Sequence, residues 1–280
     1  MDVLIQAAEL KALMTSSERV VILDVRWKLG GPPGHDEYLT GHLPGAVFVD
    51  LPGELAGRGE ARDGRHPLPS VSDLQEAARR WGVCVGDPVV AYDANGNLAA
   101  ARLWWLLRWG GFENVRLLDG GLSAWIDAGG SLDTDGVKPE PGDVELTCGA
   151  LGVVTIDEIP AFAASALLLD ARASERYRGE VEPIDPVAGH IPGAVSASTE
   201  LNLDSAGRFL GAEELRARFE ALGVSRSTGV GVYCGSGVTA AHEIAALAIA
   251  GFDAALYPGS WSQWSNHPDL PVARGAQPGK

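Results

Sequence analysis

Short, continuous apolar runs alternate with segments of helical periodicity along the whole chain. Runs of this length and β-branched content are typical of buried parallel strands, and there are four of them: VVILDV (20–25), PVVAYD (88–93), ALLLD (166–170) and GVGVYC (229–234). Between them, SVSDLQEAARRWG (70–82) begins with a Ser72/Gln75–Glu76 capping pattern and ends at a glycine, which predicts a helix. The spacing of apolar residues predicts a second helix in the segment GAEELRARFEALG (211–223). This alternation predicts an α/β fold in which helices flank a central, mostly parallel sheet.

The chain repeats itself once. Four blocks recur in the same order: LDVR (23–26) as LDAR (169–172), GHLPGAVFVD (41–50) as GHIPGAVSAS (189–198), VVAYDANGN (89–97) as VGVYCGSGV (230–238), and DGGLSAW (119–125) as PGSWSQW (258–264). Four ordered matches indicate two copies of one module. We therefore predict two tandem α/β domains, residues 1–131 and 153–280, joined by a Pro-, Gly- and Asp-rich linker over 132–152.

Cys234 is the candidate for chemistry, because it ends a predicted strand directly before the loop GSGVT and a helix predicted over 240–250. Ligands of open parallel sheets bind beyond the carboxyl ends of the strands. Gly235 and Gly237 allow successive N–H groups to point inward as an anion-binding nest, and the helix N-terminus adds partial positive charge. Such surroundings favour a thiolate nucleophile. The residues predicted to line this loop are Gly235, Gly237, Val238 and Thr239.

The first copy has Asp93 at the position of Cys234, followed by ANGNLA. A carboxylate cannot act as a sulfur nucleophile, so the first copy is predicted to be inactive. Cys84 and Cys148 precede no helix start, and we interpret both as structural. The three cysteines show no CxxC or Cys/His ligand spacing, so no metal site is predicted.

The net charge of −15, from 22 basic and 37 acidic residues, is spread over both halves of the chain. A diffuse negative field argues against nucleic acids and anionic membranes as partners, and an anionic substrate needs a locally positive pocket. No apolar stretch is long enough for a transmembrane helix, and the N-terminus lacks the layout of a signal peptide. Together with few, unpaired cysteines, these features predict a cytoplasmic protein.

With the paired LD(V/A)R and GH(L/I)PGA blocks and the strand–Cys–loop–helix segment, the chain resembles the tandem-domain rhodanese-type sulfurtransferases over nearly its whole length. The resemblance implies that the thiolate takes a sulfane sulfur from a small anionic donor and becomes a persulfide. The sulfur then passes to cyanide or to a thiol acceptor, thioredoxin-like proteins among them. The resemblance also implies an inactive N-terminal copy. No metal or organic cofactor is indicated.

The loop CGSGVTA (234–240) contains no basic residue. In this it is similar to the loop of 3-mercaptopyruvate sulfurtransferases, whereas thiosulfate-using members carry cations there. The resemblance implies that Ser236 assists proton transfer, that His42 orients this serine, and that Asp36 is the acidic partner of the histidine.

In that subfamily arginines after the second LDxR strand bind the donor's carboxylate, which implies this role for Arg176 and Arg178. A further arginine commonly follows a Glu-Pro step, but here Ile184 follows Glu182–Pro183. This departure leaves a thiosulfate-specific rhodanese open as the alternative.

Two other classes of protein fit less well. Cys-dependent phosphatases require an arginine six positions after the cysteine, where this chain has Ala240. A non-catalytic sulfide-sensing or protein-binding tandem module is disfavoured because Cys234 is present.

Overall fold

The apolar runs form short parallel strands, and the segments between them form helices. The structure, a computed structural model, describes residues 2–16 and 19–279. It divides into two compact units with one sheet each, and every pair of neighbouring strands within a sheet is parallel. The predicted α/β class, a parallel sheet flanked by helices in each domain, is confirmed. Among the described residues, no helix has the length and apolarity needed to cross a membrane.

The first unit has a five-stranded sheet in the order β1-β5-β4-β2-β3. Its strands are β1 (Leu4–Ile5), β2 (Val21–Asp24), β3 (Val47–Phe48), β4 (Val89–Tyr92) and β5 (Val115–Leu118). Its helices are α1 (Ala7–Thr15), α2 (Gly34–Thr40), α3 (Leu51–Glu54), α4 (Val71–Arg80), α5 (Ala100–Trp109) and α6 (Gly121–Asp127).

The second unit has a four-stranded sheet in the order β7-β6-β8-β9. Its strands are β6 (Leu167–Asp170), β7 (Val195–Ser196), β8 (Val230–Tyr233) and β9 (Ala255–Leu256). Its helices are α7 (Ile159–Ser165), α8 (Ser174–Tyr177), α9 (Ala212–Ala221), α10 (Thr239–Ile249) and α11 (Ser260–Trp264), with short 3₁₀ helices at Ala61–Asp63 and Thr199–Asn202.

The compact units do not follow the boundaries predicted from the repeat. The first holds the chain up to Gly57, Pro69–Ala150 and Ser205–Phe209; the second holds Arg58–Leu68, Leu151–Asp204 and the chain from Leu210 onward. The segment predicted as a linker over 132–152 therefore packs almost entirely with the first unit. Val144 and Leu146 in it are buried, because hydrophobic side chains interrupt its Pro- and Gly-rich composition.

Each half of the chain contributes one segment to the other unit. Arg58–Leu68 from the first half packs in the second unit, and Ser205–Phe209 from the second half packs in the first. In the second unit, the backbone N–H of Arg65 donates to Ser262 Oγ on α11 (3.1 Å). This exchange carries residues of the first half into the unit that contains Cys234.

The N-cap of helix α4 lies two residues before the serine predicted to cap it. Ser70 is the N-cap, and its Oγ accepts the N–H of Asp73 (3.0 Å), while Ser72 lies in the first turn. Ser70 Oγ thereby satisfies an N–H of the first turn that has no partner within the helix.

The recurring Asp-x-Arg and Gly-His blocks form the same structure in both units. Asp24 pairs with Arg26 and Asp170 with Arg172, each through an Oδ2–Nη2 contact of 2.6 Å that is buried at the end of a strand. His42 and His190 are fully buried and each contacts a backbone carbonyl through Nδ1. These blocks recur because each sheet needs them for its packing.

Helix α10 carries a buried polar group in its first turns. Glu243 is fully buried; its Oε2 accepts Asn202 Nδ2 (2.5 Å), and its Oε1 lies 3.6 Å from Arg218 Nη1. The neighbouring His242 contacts Thr199 Oγ1 through Nδ1 (2.7 Å). Burial raises the pKa of Glu243 to about 7, against the lowering effect of Arg218, Thr199 and Asn202.

Candidate active site

Cys234 lies directly after β8, where the backbone leaves the sheet. Its side chain is buried, and its Sγ accepts the N–H of Gly237 (3.2 Å). Gly237 takes φ +77°, in the left-handed region that favours glycine, and this lets its N–H turn back toward the sulfur. One N–H of the predicted loop, that of Gly237, thus points at the thiol.

Helix α11 holds the backbone of the cysteine from the other side. The N–H of Cys234 donates to Ser260 Oγ (3.1 Å), and its carbonyl accepts the N–H of Trp261 (3.0 Å). Ser260 has φ +55°, which is uncommon for a residue other than glycine, and its equivalent in the first unit is Gly121 at φ +56°. A serine in this strained conformation supplies a hydroxyl that a glycine cannot, and that hydroxyl fixes the nucleophile's backbone.

The first unit shows what the equivalent loop binds. The carboxylate of Asp93 accepts four backbone N–H groups: Asn95 (2.7 Å) and Asn97 (2.8 Å) on Oδ1, and Ala99 (2.8 Å) and Ala100 (3.0 Å) on Oδ2. Burial raises the pKa of Asp93, and these four donors act in the opposite direction. The loop of this module thus surrounds an anion that is carried by the residue at the strand end.

Ser236 is paired with a histidine that the sequence did not single out. Ser236 Oγ lies 2.8 Å from His66 Nδ1, and both side chains are largely buried. His66 belongs to the segment Arg58–Leu68, which packs in the second unit. A hydroxyl and an imidazole at this distance can move a proton in either direction, depending on the tautomer of the imidazole.

The two partners predicted for Ser236 lie elsewhere. His42 is buried in the first unit, where its Nδ1 donates to the carbonyl of Tyr38 (2.9 Å) and its ring stacks on the Tyr38 ring at 3.8 Å. His190 makes the same contacts with Tyr177, so the histidine of this block supports the fold in both copies. Asp36 is exposed in the first turn of α2. The prediction of His42 and Asp36 as the partners of Ser236 is therefore corrected: His66 makes this contact.

A chain of alternating charges leads from the sheet of the second unit to the loop. Arg172, anchored on Asp170, contacts Glu182 (3.4 Å), and Glu182 Oε1 accepts Arg176 Nη2 (2.7 Å). Glu182 Oε1 also accepts the backbone N–H groups of the two residues that follow Pro183. The Glu-Pro step thus holds Arg176 in place, while Ile184 is exposed and its side chain adds no cation.

Arg65 joins Arg176 above the loop. Arg65 forms an ion pair with Asp185 Oδ1, and Arg176 Nη2 lies 3.3 Å from Asp185 Oδ2. A Cβ built on Gly235 would lie 3.2 Å from Arg65 Nη2 and 3.5 Å from Arg176 Nη1, so both guanidiniums lie over the residue after the cysteine. Burial raises the pKa of Asp185, whereas the two arginines oppose that shift.

The remaining predicted residues have different surroundings. Val238 is the buried N-cap of α10 and Thr239 is its first residue. Arg178 pairs with the exposed Glu180 (2.7 Å), and its role as a donor-binding residue stays a prediction. Cys148 is exposed and Cys84 is half-buried beside Arg19 (Nη1–Sγ 3.0 Å), so neither is a core residue. No group of three or more His, Cys, Asp or Glu side chains in the described ranges could hold a metal ion.

The motifs of the sequence include neither Arg65 nor His66, although the repeat carries a signal for Arg65. Gly64–Arg65 recurs as Gly207–Arg208, in the same order relative to the other blocks. These dipeptides lie in the two exchanged segments. A fifth repeat block of only two residues is too short to distinguish from a chance match.

Comparisons with known proteins agree with this geometry. The rhodanese-like domain family matches residues 6–128 and 158–267, one match in each half. The SseB protein of Mycobacterium tuberculosis, named provisionally as a thiosulfate sulfurtransferase, is 50% identical over 98% of this chain and 98% of its own length. The 3-mercaptopyruvate sulfurtransferase of Escherichia coli K12 is 35% identical over 90% of this chain and 92% of its own.

A solved structure extends the likeness to three dimensions. The crystal structure of SseA from Escherichia coli superposes with a TM-score of 0.82 at 32% identity, covering 93% of this chain and 99% of that one. The chain therefore belongs to the rhodanese family, with one rhodanese-like domain in each half. Within that family it is a sulfurtransferase, in agreement with its relatives over nearly the full length.

Proposed function

We propose that this enzyme carries sulfane sulfur as a persulfide on Cys234 and that 3-mercaptopyruvate is its preferred donor. The observation that carries the proposal is the contact between Ser236 and His66 within the loop of the nucleophile (2.8 Å). This pair can deliver a proton at the place where the donor breaks, and only one of the two candidate donors needs one.

The two donors differ in whether the first half-reaction requires a proton. The Cys234 thiolate attacks the sulfur of 3-mercaptopyruvate, the S–C bond breaks, and its electron pair leaves on carbon as the enolate of pyruvate. The enolate then takes up a proton, which can be the one that the donor thiol loses. With thiosulfate the S–S bond breaks and sulfite leaves with the electron pair, with no proton required. General acid–base groups therefore help the first donor and not the second.

The loop is suited to hold the persulfide. In the first unit the anionic oxygens of Asp93 lie one bond beyond the side-chain Cγ, as the outer sulfur of a persulfide lies one bond beyond Sγ. The N–H groups at the positions equivalent to the four donors around Asp93 belong to Ser236, Val238, Ala240 and Ala241. The N–H of Ala241 donates to the carbonyl of Val238 (3.1 Å). Those of Ser236, Val238 and Ala240, together with the N-terminus of α10, support stabilisation of a negatively charged outer sulfur.

Arg176 is proposed to bind the donor's carboxylate. Its guanidinium is held by Glu182 and lies over Gly235, and its Nε is buried without a partner among the described residues. A buried N–H group without a hydrogen-bond partner costs free energy, so the binding of an anion that accepts this hydrogen bond is favoured.

The second half-reaction transfers the outer sulfur to cyanide or to a thiol, which regenerates the thiolate. A thiol protein of the thioredoxin type is a suitable acceptor, because attack of its thiolate on the persulfide requires no further cofactor. Cys84, Cys148 and Cys234 are all free thiols, which supports a reducing, cytoplasmic compartment.

The proposal is tested by steady-state assays with 3-mercaptopyruvate and thiosulfate side by side and cyanide as acceptor, following thiocyanate. We expect turnover with both donors and a larger kcat/KM for 3-mercaptopyruvate. A larger kcat/KM for thiosulfate identifies a thiosulfate-specific rhodanese. The absence of turnover with either donor, from protein whose Cys234 thiol is free, identifies a non-catalytic module and overturns the proposal.

Ser236→Ala is expected to lower kcat/KM for 3-mercaptopyruvate by about 100-fold, and to change the value for thiosulfate much less, because only the first reaction uses the proton. The same assays measure both. Ser227→Ala, in the exposed turn before β8, is the control and should match the wild type with both donors. Equal losses for the two donors would mean that Ser236 only shapes the loop.

A further inference from the structure

The two guanidiniums over Gly235 share one carboxylate. Asp185 has one oxygen on Arg65 and the other on Arg176, and its side chain is only 2% exposed. Arg65 and Arg176 are 26% and 18% exposed, so solvent reaches the two cations but hardly reaches the anion between them. Asp185 is thus positioned to fix both guanidiniums relative to each other.

The charges of this network balance. Three carboxylates alternate with three guanidiniums, and the members are Asp170, Arg172, Glu182, Arg176, Asp185 and Arg65. An entering anion therefore meets oriented N–H donors, and the side chains of this network add no net charge. The Nε atoms of Arg65 and Arg176 are both buried and lack a partner among the residues that the structure describes.

A side-chain network without net charge favours the binding of one candidate donor over the other. At neutral pH 3-mercaptopyruvate brings one carboxylate charge, whereas thiosulfate brings two charges. Desolvating a second charge without a compensating cation is costly, and the chain as a whole carries −15. The desolvation cost of entering the site is therefore smaller for the monoanion 3-mercaptopyruvate than for the dianion thiosulfate.

We propose that Asp185 and Arg65 set the donor specificity of this enzyme: Asp185 biases the site toward monoanionic donors by neutralising one guanidinium, and Arg65 opposes that bias. The inference rests on the proposed function, because it concerns the same site. Neither residue carries out the chemistry; each acts through the charge and orientation of the donor's binding place.

The two substitutions are expected to move specificity in opposite directions. Asp185→Asn keeps the size of the side chain and leaves one uncompensated positive charge, so the ratio of kcat/KM for thiosulfate to that for 3-mercaptopyruvate should rise at least about tenfold. Arg65→Gln leaves one uncompensated negative charge, so the same ratio should fall at least about tenfold. The double variant restores the charge balance and should bring the ratio back toward that of the wild type.

Glu180→Gln is the matched control. It removes the same charge five residues from Asp185, but Glu180 is exposed and pairs with the partly exposed Arg178, so its effect is screened by solvent. The ratio should stay at the wild-type value. Thermal midpoints of all variants identify any that are unfolded, and an unfolded variant loses activity with both donors alike.

The outcomes separate this inference from the proposed function. If the wild type turns over neither donor, the proposed function fails. If the wild type turns over the donors but Asp185→Asn and Arg65→Gln shift the ratio in the same direction, or leave it unchanged, the specificity inference alone is overturned. Losses that are equal for both donors assign the pair a purely structural role and overturn it as well.

Discussion

Cys234→Ser is expected to lower sulfur transfer from both donors by at least about a thousandfold, because a serine hydroxyl cannot accept sulfane sulfur and the persulfide cannot form. Intact-protein mass spectrometry after incubation with donor should show one added sulfur atom on the wild type and none on the variant. The fold should persist, since a hydroxyl can also accept the backbone N–H of Gly237 that Sγ accepts.

Cys84→Ser and Cys148→Ser are the controls for this substitution. Cys84 is half-buried and Cys148 is exposed, and neither lies at the end of a strand before a helix. Both variants should keep the wild-type rate and the added sulfur. A Cys234→Ser protein with near wild-type turnover would exclude a persulfide on this residue.

Glu243→Gln is expected to abolish a pH dependence of stability in the second unit. Because burial raises the pKa of Glu243 from 4.5 to about 7, the folded state binds more protons than the unfolded state between these values. The contribution of this side chain to stability is therefore largest below pH 4.5, and it falls as the pH rises through 7. The difference of 2.5 pH units corresponds to about 3 kcal/mol, so the glutamine variant should exceed the wild type by up to that amount at pH 8 and match it near pH 4.

Urea titrations at pH 4, 6 and 8 measure this effect. Glu220→Gln, on the exposed side of α9, serves as the control and should follow the wild type at every pH. A glutamine variant whose stability changes with pH in parallel with the wild type would show that the interaction with Arg218 keeps Glu243 ionised in the native state throughout this range.

The features that the sequence predicted correctly are local or repeated. The buried strands follow from unbroken apolar runs such as ALLLD, and the loop around Cys234 follows from its glycines. The comparison with Asp93 predicts an inactive first copy, because the two loops lie at the same point of the same fold, and this stays a prediction. All of these depend on residues that are neighbours in the chain.

The features that the sequence did not predict depend on distant residues. His66 reaches Ser236 across 170 positions, and Arg65 reaches Asp185 across 120. The segment that carries both residues packs in the second unit, which neither hydrophobic periodicity nor loop composition could indicate. The role of His42 was implied by the family resemblance, whereas the recurrence of its motif reflects the same buried histidine contact in both units.

The exchange of Arg58–Leu68 and Ser205–Phe209 determines how this catalytic centre can be assembled. A protein made of a single half could complete such a centre only by lending its segment to a second molecule, which is domain swapping between two chains. Its activity would then fall on dilution. With both halves on one polypeptide the exchange is intramolecular, so the pairing of His66 with Ser236 is independent of protein concentration. For the same reason, a fragment that starts at Leu151 would keep the nucleophile yet lack both Arg65 and His66.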